Sequence, residues 1–219
     1  AMLRDSAHIQ EQDAKWASKK GKRAGKAAVE PLYTLQDAET SLKLLVPVGY
    51  QQPVRISDGI DFWFTDAGHL MGSSFATVRA REHGTLKTIV FSGDIGNTDQ
   101  PIIRDPSYLE RADCVVMEST YGDRMHEKPD DITVALARII DGTLGRGGNV
   151  VIPAFAVGRA QELLYFIRDM KLRKLVPSRP DFPVYLDSPL AARATKIYSE
   201  NLACCADDQT RALMDAGID

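Results

Sequence analysis

The feature that most narrows the folds open to this 219-residue chain is a change of apolar rhythm near residue 113. Upstream of it the repeat is two. Val54-Arg55-Ile56, an Asp58-Gly59 turn and Ile60-Asp61-Phe62-Trp63-Phe64-Thr65 read as a β-hairpin. Residues 74–81 alternate Ala76, Val78 and Ala80 with Thr77, Arg79 and Arg81, and Glu82-His83-Gly84 turns the chain into residues 86–91. Residues 53–92 are therefore expected to form an antiparallel meander with one buried face. Downstream, short apolar runs alternate with longer amphipathic stretches. Residues 114–117 precede a helix through Val134, Ala135, Ile139 and Ile140; residues 149–152 precede one over 158–172; and residues 183–186 precede one over 188–202. A β-α repeat of this kind predicts a parallel, Rossmann-like layer covered by helices.

Ahead of the meander, residues 5–20 read as a helix with Ala7, Gln10, Ala14 and Ala17 near one face, stopped by Gly21 and Gly25. The Lys/Gly/Ala stretch that follows, through Ala28, reads as a loop, either a solvated connector or a contact for phosphates. A second short helix carries Leu35, Ala38, Leu42 and Leu45, with Thr34 as N-cap, Asp37 in the capping-box position and Pro47 as its end. Composition adds boundaries. A chain of this length buries roughly 70–75% of its unfolded surface and needs no disulfide staples. With 27 Lys+Arg against 30 Asp+Glu, net −3, it offers no broad electrostatic footprint for nucleic acid. The exception is residues 1–30, where seven Lys/Arg meet four acids. Cys114, Cys204 and Cys205 make no C-x-x-C ladder, no window has the length of a membrane span, and no apolar signal-peptide stretch opens the sequence, so a reduced, cytoplasmic chain without membrane contact is expected.

Three of the expected strands end in residues suited to metals and proton transfer. Residues 60–65 run into Asp66-Ala67-Gly68-His69, residues 88–91 into Ser92-Gly93-Asp94, and residues 114–117 into Glu118-Ser119-Thr120-Tyr121. Strands sharing one layer would bring a His, an Asp and a Glu to one rim, with flanking glycines leaving room for turns that aim short side chains. Taken singly, each has an ordinary reading: a surface histidine, an Asp-Gly turn, a capping glutamate.

Together and in this order, Asp66-Ala67-Gly68-His69-Leu70-Met71-Gly72-Ser73, Phe91-Ser92-Gly93-Asp94-Ile95-Gly96, Glu118-Ser119-Thr120-Tyr121-Gly122-Asp123-Arg124 and Ile152-Pro153-Ala154-Phe155-Ala156-Val157-Gly158-Arg159-Ala160-Gln161-Glu162 resemble the successive signatures of the β-CASP branch of the metallo-β-lactamase fold. That group includes RNA-processing zinc nucleases. The resemblance implies an α/β chain, α+β in part. Residues 1–123 would be a partial αββα metallo-β-lactamase-like domain, and residues 124–219 part of a Rossmann-like β-CASP domain. It implies His69 as a zinc ligand, Asp94 as the aspartate bridging two Zn2+ ions, and Glu118 as an acidic catalytic-site residue that supports a downstream histidine. Arg159, at a helix start, is a candidate substrate phosphate contact, and an ordinary helix start is the competing reading. His8, His83 and His126 receive no role.

The resemblance also implies a His-x-His-x-Asp-His motif upstream of residue 5 and histidines beyond the β-CASP region, and neither is in the sequence. The chain is thus expected to be a central slice of the parent architecture, one that binds zinc weakly or not at all and does not cut RNA alone. The parent would hydrolyse RNA phosphodiesters. Apolar surface left uncovered favours self-association. A non-catalytic scaffold and a small-molecule ester or thioester hydrolase of the same superfamily are the alternatives.

Overall fold

The structure, a computed structural model, describes residues 2–22, 25–125, 131–208 and 210–211. Its packing separates two units, Ala1–Val48 and Gly49–Asp219. His126 lies outside the described residues.

The first unit holds α1 (Met2–Lys22) and α2 (Leu35–Leu42). Their buried residues are the alanines Ala7, Ala14 and Ala38, whose small side chains let the helices approach closely. Thr34 caps α2 as the sequence indicates: its hydroxyl accepts from Asp37 N while Asp37 accepts from Thr34 N. The helix ends at Leu42, five residues ahead of Pro47. Leu45, placed on the apolar stripe by periodicity, is exposed.

The second unit is organised by a five-stranded sheet, β1 (Val54–Ser57), β2 (Ile60–Asp66), β3 (Ser74–Glu82), β4 (Thr85–Phe91) and β5 (Cys114–Val116), ordered as numbered. The meander is present: β1 to β4 pair antiparallel and β5 adds parallel to β4. Its hairpins turn on Asp58-Gly59 and on His83-Gly84, where φ is +48° and +79°, the two left-handed residues of a tight two-residue turn. The buried face differs from the one marked by apolar alternation. Phe75, Thr77 and Val90 are buried, whereas Ala76, Val78 and Ala80 are only half-buried. Residues 93–112 decide this, because Ile95, Leu109 and Ala112 pack over Ala67, Phe75 and Val90.

Helices α3 (Ile132–Leu144), α4 (Arg159–Leu172) and α5 (Pro189–Cys205) follow where expected. Asp131 and Ser188 cap α3 and α5 with side-chain acceptors, and Pro189 opens α5. Ala137 and Ile140 of α3 meet Met170, Val176 and Phe182 in one core, while Tyr198 of α5 packs with Ile102 and Ile103 in another. The parallel layer is smaller than the sequence suggests. Residues 149–152 and 183–186 form no strand, and Val151 and Tyr185 are among the most exposed large apolar side chains described. A strand needs a ladder partner as well as β-prone residues, and the only parallel pair of strands among the described residues is β4 with β5. None of the described helices is long and apolar enough to cross a membrane.

Candidate functional site

Topology brings the three chemically loaded turns together. Strands β2 and β4 each run antiparallel to β3, so they share a direction, and β5 runs with β4. The C-terminal ends of all three therefore open on one rim of the sheet, as the sequence predicts.

The turn after β2 is built around two short polar side chains. Asp66 Oδ1 accepts from Gly68 N at 2.9 Å, and Gly68 takes φ +60°. Ser73 Oγ accepts from both His69 N and Leu70 N at 3.1 Å, and Tyr50 donates to the Ser73 carbonyl at 2.8 Å. His69 thus leaves the turn from a backbone held at both ends. Burial pushes the Asp66 carboxyl up, with the Gly68 amide and the Arg104 charge pulling the other way.

The turn after β4 is locked to its neighbours. Gly96 N donates to the Ala67 carbonyl at 2.8 Å, and Ser92 N donates to the Val116 carbonyl at 2.9 Å. Glu118 completes the tie. Its Oε1 accepts from Ile95 N at 2.5 Å, its Oε2 accepts from Thr120 Oγ1 at 2.7 Å, and its own amide donates to Ser92 Oγ at 3.1 Å. These bonds hold the Asp94 turn from the β5 side.

Between the turns, His69 Nε2 and Asp94 Oδ2 face one another at 3.7 Å, and the Asp94 side chain is three-quarters exposed. Two donors on one tetrahedral zinc, each about 2.0–2.1 Å from it, sit roughly 3.3 Å apart, so the pair has the chemistry and spacing of two metal ligands. A catalytic zinc takes three protein ligands. Among the described residues no group of three or more His, Cys, Asp or Glu side chains is arranged to hold a metal ion, so further donors would complete this set.

The Ile95 amide and the Thr120 hydroxyl, outweighing the opposite effect of burial, hold the Glu118 carboxyl below the usual glutamate range. A carboxyl depressed on folding contributes stability above its unfolded pKa and loses it as pH falls through the folded one. The Ile95 amide proton is therefore expected to titrate with a midpoint below the ordinary glutamate value in 1H–15N spectra, and Glu118→Gln is expected to abolish that titration. A midpoint at or above the ordinary value would contradict the bond.

Arg159 opens α4 with its side chain 65% exposed and its guanidinium paired to Glu162 at 2.8 Å. Gly158, just before it, has φ +84°, and a Cβ there would lie 2.3 Å from Leu70 Cδ2. The start of α4 thus packs directly against the turn carrying His69. Ser73, Ser92, Gly96 and Gln161 had no assigned role in the sequence. Their only signal there is a small or polar residue inside each motif.

A His and an Asp facing one another at the ends of codirectional strands, with the start of α4 packed against the His69 turn, could hold a metal ion. The Beta-Casp domain family matches residues 160–216, spanning most of α4 and all of α5. The chain is 39% identical over 169 residues to Ribonuclease TTHA0252 of Thermus thermophilus, 77% of this chain and 37% of that protein. It is 33% identical over 173 residues to an RNase J-like protein of Methanocaldococcus jannaschii, 76% of this chain and 38% of that one. Against cleavage and polyadenylation specificity factor subunit 3-I of Arabidopsis thaliana it is 30% identical over 178 residues, 80% of this chain and 25% of that protein. The chain belongs to the β-CASP family of metallo-β-lactamase-fold proteins. It spans between a quarter and two-fifths of the length of these relatives.

Proposed function

We propose that this chain supplies part of the centre of a zinc-dependent RNA phosphodiesterase, as a cytoplasmic protein of RNA processing or decay. The facing of His69 and Asp94 at 3.7 Å carries the reading, and the ribonuclease names of the relatives support it over the scaffold and ester-hydrolase alternatives. Zinc, when bound at such a site, polarises a phosphate oxygen and lowers the pKa of water. His69 offers one imidazole nitrogen, and Asp94 offers two oxygens, enough to span two cations. Glu118 acts at the backbone of the Asp94 turn, holding that carboxylate toward His69. Arg159, beside the His69 turn, is placed to meet a phosphate by exchanging its Glu162 partner.

Two donors make a weak site. The test is zinc stoichiometry of the purified, metal-dialysed chain, with cleavage of a labelled RNA and light scattering on the same sample. Substoichiometric zinc, no cleavage and a species larger than the monomer are expected, the last because Val151, Phe155 and Tyr185 are exposed. Zinc titration is expected to move the NMR signals of His69 and Asp94, and His69→Ala to remove that response. Stoichiometric zinc together with RNA cleavage lost in His69→Ala would overturn the two-donor account. A response to zinc that ignores His69 would overturn the site itself.

A further inference from the structure

The first unit carries chemistry that the rim does not use. Lys15, Lys19 and Lys22 recur at i, i+4 and i+7, so they share one face of α1 over about 10 Å of axis. Past the helix, Gly25 takes φ +67°, its amide donates to the Lys22 carbonyl at 3.3 Å, and Lys26 N donates to the Gly21 carbonyl at 3.0 Å. These two bonds return Lys26 to the last turn of the helix. Ser18 then pins the returning segment: its hydroxyl donates to the Val29 carbonyl at 3.1 Å and accepts from Val29 N at 2.8 Å.

The result is a groove of about 620 Å³ bordered by Lys15, Lys19, Lys22 and Lys26, with Ala14 and Pro31 in its apolar part. Glu11, the acid lining it, is occupied, accepting from Leu35 N at 2.9 Å and pairing with Lys15 at 3.9 Å. Among the described residues Lys19, Lys22 and Lys26 form no ion pair. Beside this row Trp16 is 66% exposed, and Lys20 places its ammonium 5.0 Å from the ring centroid. The helix dipole accounts for cations in the last turn of α1. It does not account for Lys15, two turns further in, nor for Lys26 beyond the end, nor for the exposed indole that follows Lys15 in the sequence.

We infer that this groove binds the phosphate backbone of single-stranded RNA, with Trp16 as a stacking face for a base. Four lysines along one groove and an exposed aromatic ring on the same helix are the elements of a single-strand platform. The inference rests on the RNA reading of the rim for the choice of polyanion, and it assigns the binding energy to side chains other than the metal-type ones.

The test is fluorescence anisotropy of a labelled 12-nucleotide oligo(U) with the whole chain at low and moderate potassium chloride. Lys19→Glu/Lys22→Glu/Lys26→Glu is expected to weaken binding at least about tenfold. It should also reduce the slope of log affinity against log salt by about two, from three lost contacts on a single strand. The corresponding triple Lys→Arg variant is expected to bind as the parent does. Trp16→Ala is expected to lose about tenfold with the salt slope unchanged, since stacking releases no counterions. A triple Lys→Gln variant with native circular dichroism separates lost charge from lost folding. Binding within twofold of the parent in both the Glu and Gln variants would overturn the inference. So would a parent that ignores oligo(U) and binds phosphatidylserine vesicles. Loss of oligo(U) affinity in His69→Ala with the lysine variants unaffected would refute the groove while leaving the rim reading in place.

Discussion

Gly96→Ala is expected to unfold the rim, lowering stability by about 3 kcal/mol or more. The added Cβ would lie 1.7 Å from the Gly68 carbonyl oxygen, 2.0 Å from its carbon and 2.5 Å from His69 N. All three are backbone atoms, so no rotamer change relieves the overlap. The turn after β4 would have to leave the turn after β2, breaking the bond from Gly96 N to the Ala67 carbonyl and separating Asp94 from His69. Urea unfolding measures the cost, and amide shifts over residues 67–70 and 94–96 locate it. Gly72→Ala is the control. Gly72 has φ +84°, but a methyl added there would meet nothing within 4 Å, so only the left-handed conformation is penalised, by about 1–2 kcal/mol. Equal midpoints for the two variants would show that the turns part freely.

Gln161→Leu is expected to cost about 2–4 kcal/mol, although leucine nearly matches the side chain in volume. Gln161 is 4% exposed and joins three pieces of chain. Its Oε1 accepts from Gly158 N at 2.8 Å, and its Nε2 donates to the Ala156 carbonyl at 3.2 Å and to Thr195 Oγ1 at 2.9 Å. Leucine strands the Gly158 amide and the Ala156 carbonyl, at about 1–3 kcal/mol for each group left unpaired, while Thr195 Oγ1 keeps its bond to the Ala191 carbonyl at 2.9 Å. Hydrogen exchange of the first turn of α4 is expected to accelerate with the loss of global stability. Gln161→Glu keeps the acceptor for Gly158 N and loses the donors, so exchange at Gly158 should stay slower than in the leucine variant. A leucine variant with the parent's urea midpoint would mean that water takes the place of the amide.

These two residues also mark the limit of what the sequence discloses. The turns at Asp58-Gly59 and His83-Gly84 are legible because their requirement is local: a backbone that few residues adopt. The rim of His69, Asp94 and Glu118 is legible because strand direction, once the pairing is right, fixes which ends meet. The buried face of β3 is not, because Phe75 is covered by Ile95, Leu109 and Ala112, and nothing in an alternating pattern says on which side a later segment will fall. Residues 149–152 and 183–186 have the composition of strands, and composition cannot supply the neighbour that a ladder requires. Gly96 and Gln161 work through contacts 28 and 34 residues away, at Gly68 and Thr195, and distance of that kind leaves no periodic trace.

The attachment of β5 has a kinetic consequence. β1 to β4 are hairpin neighbours that close over short loops, whereas β5 joins β4 in parallel only after more than twenty intervening residues have found their place. Contacts of long sequence separation form late, and a three-residue edge strand whose residues are all exposed has little to retain it. The grip of Glu118 on Ile95 is thus expected to close late and to open early among the fastenings of the rim. When it opens, the Gly96 amide still ties the Asp94 turn to the Ala67 carbonyl, so the meander and one side of the rim stay fastened.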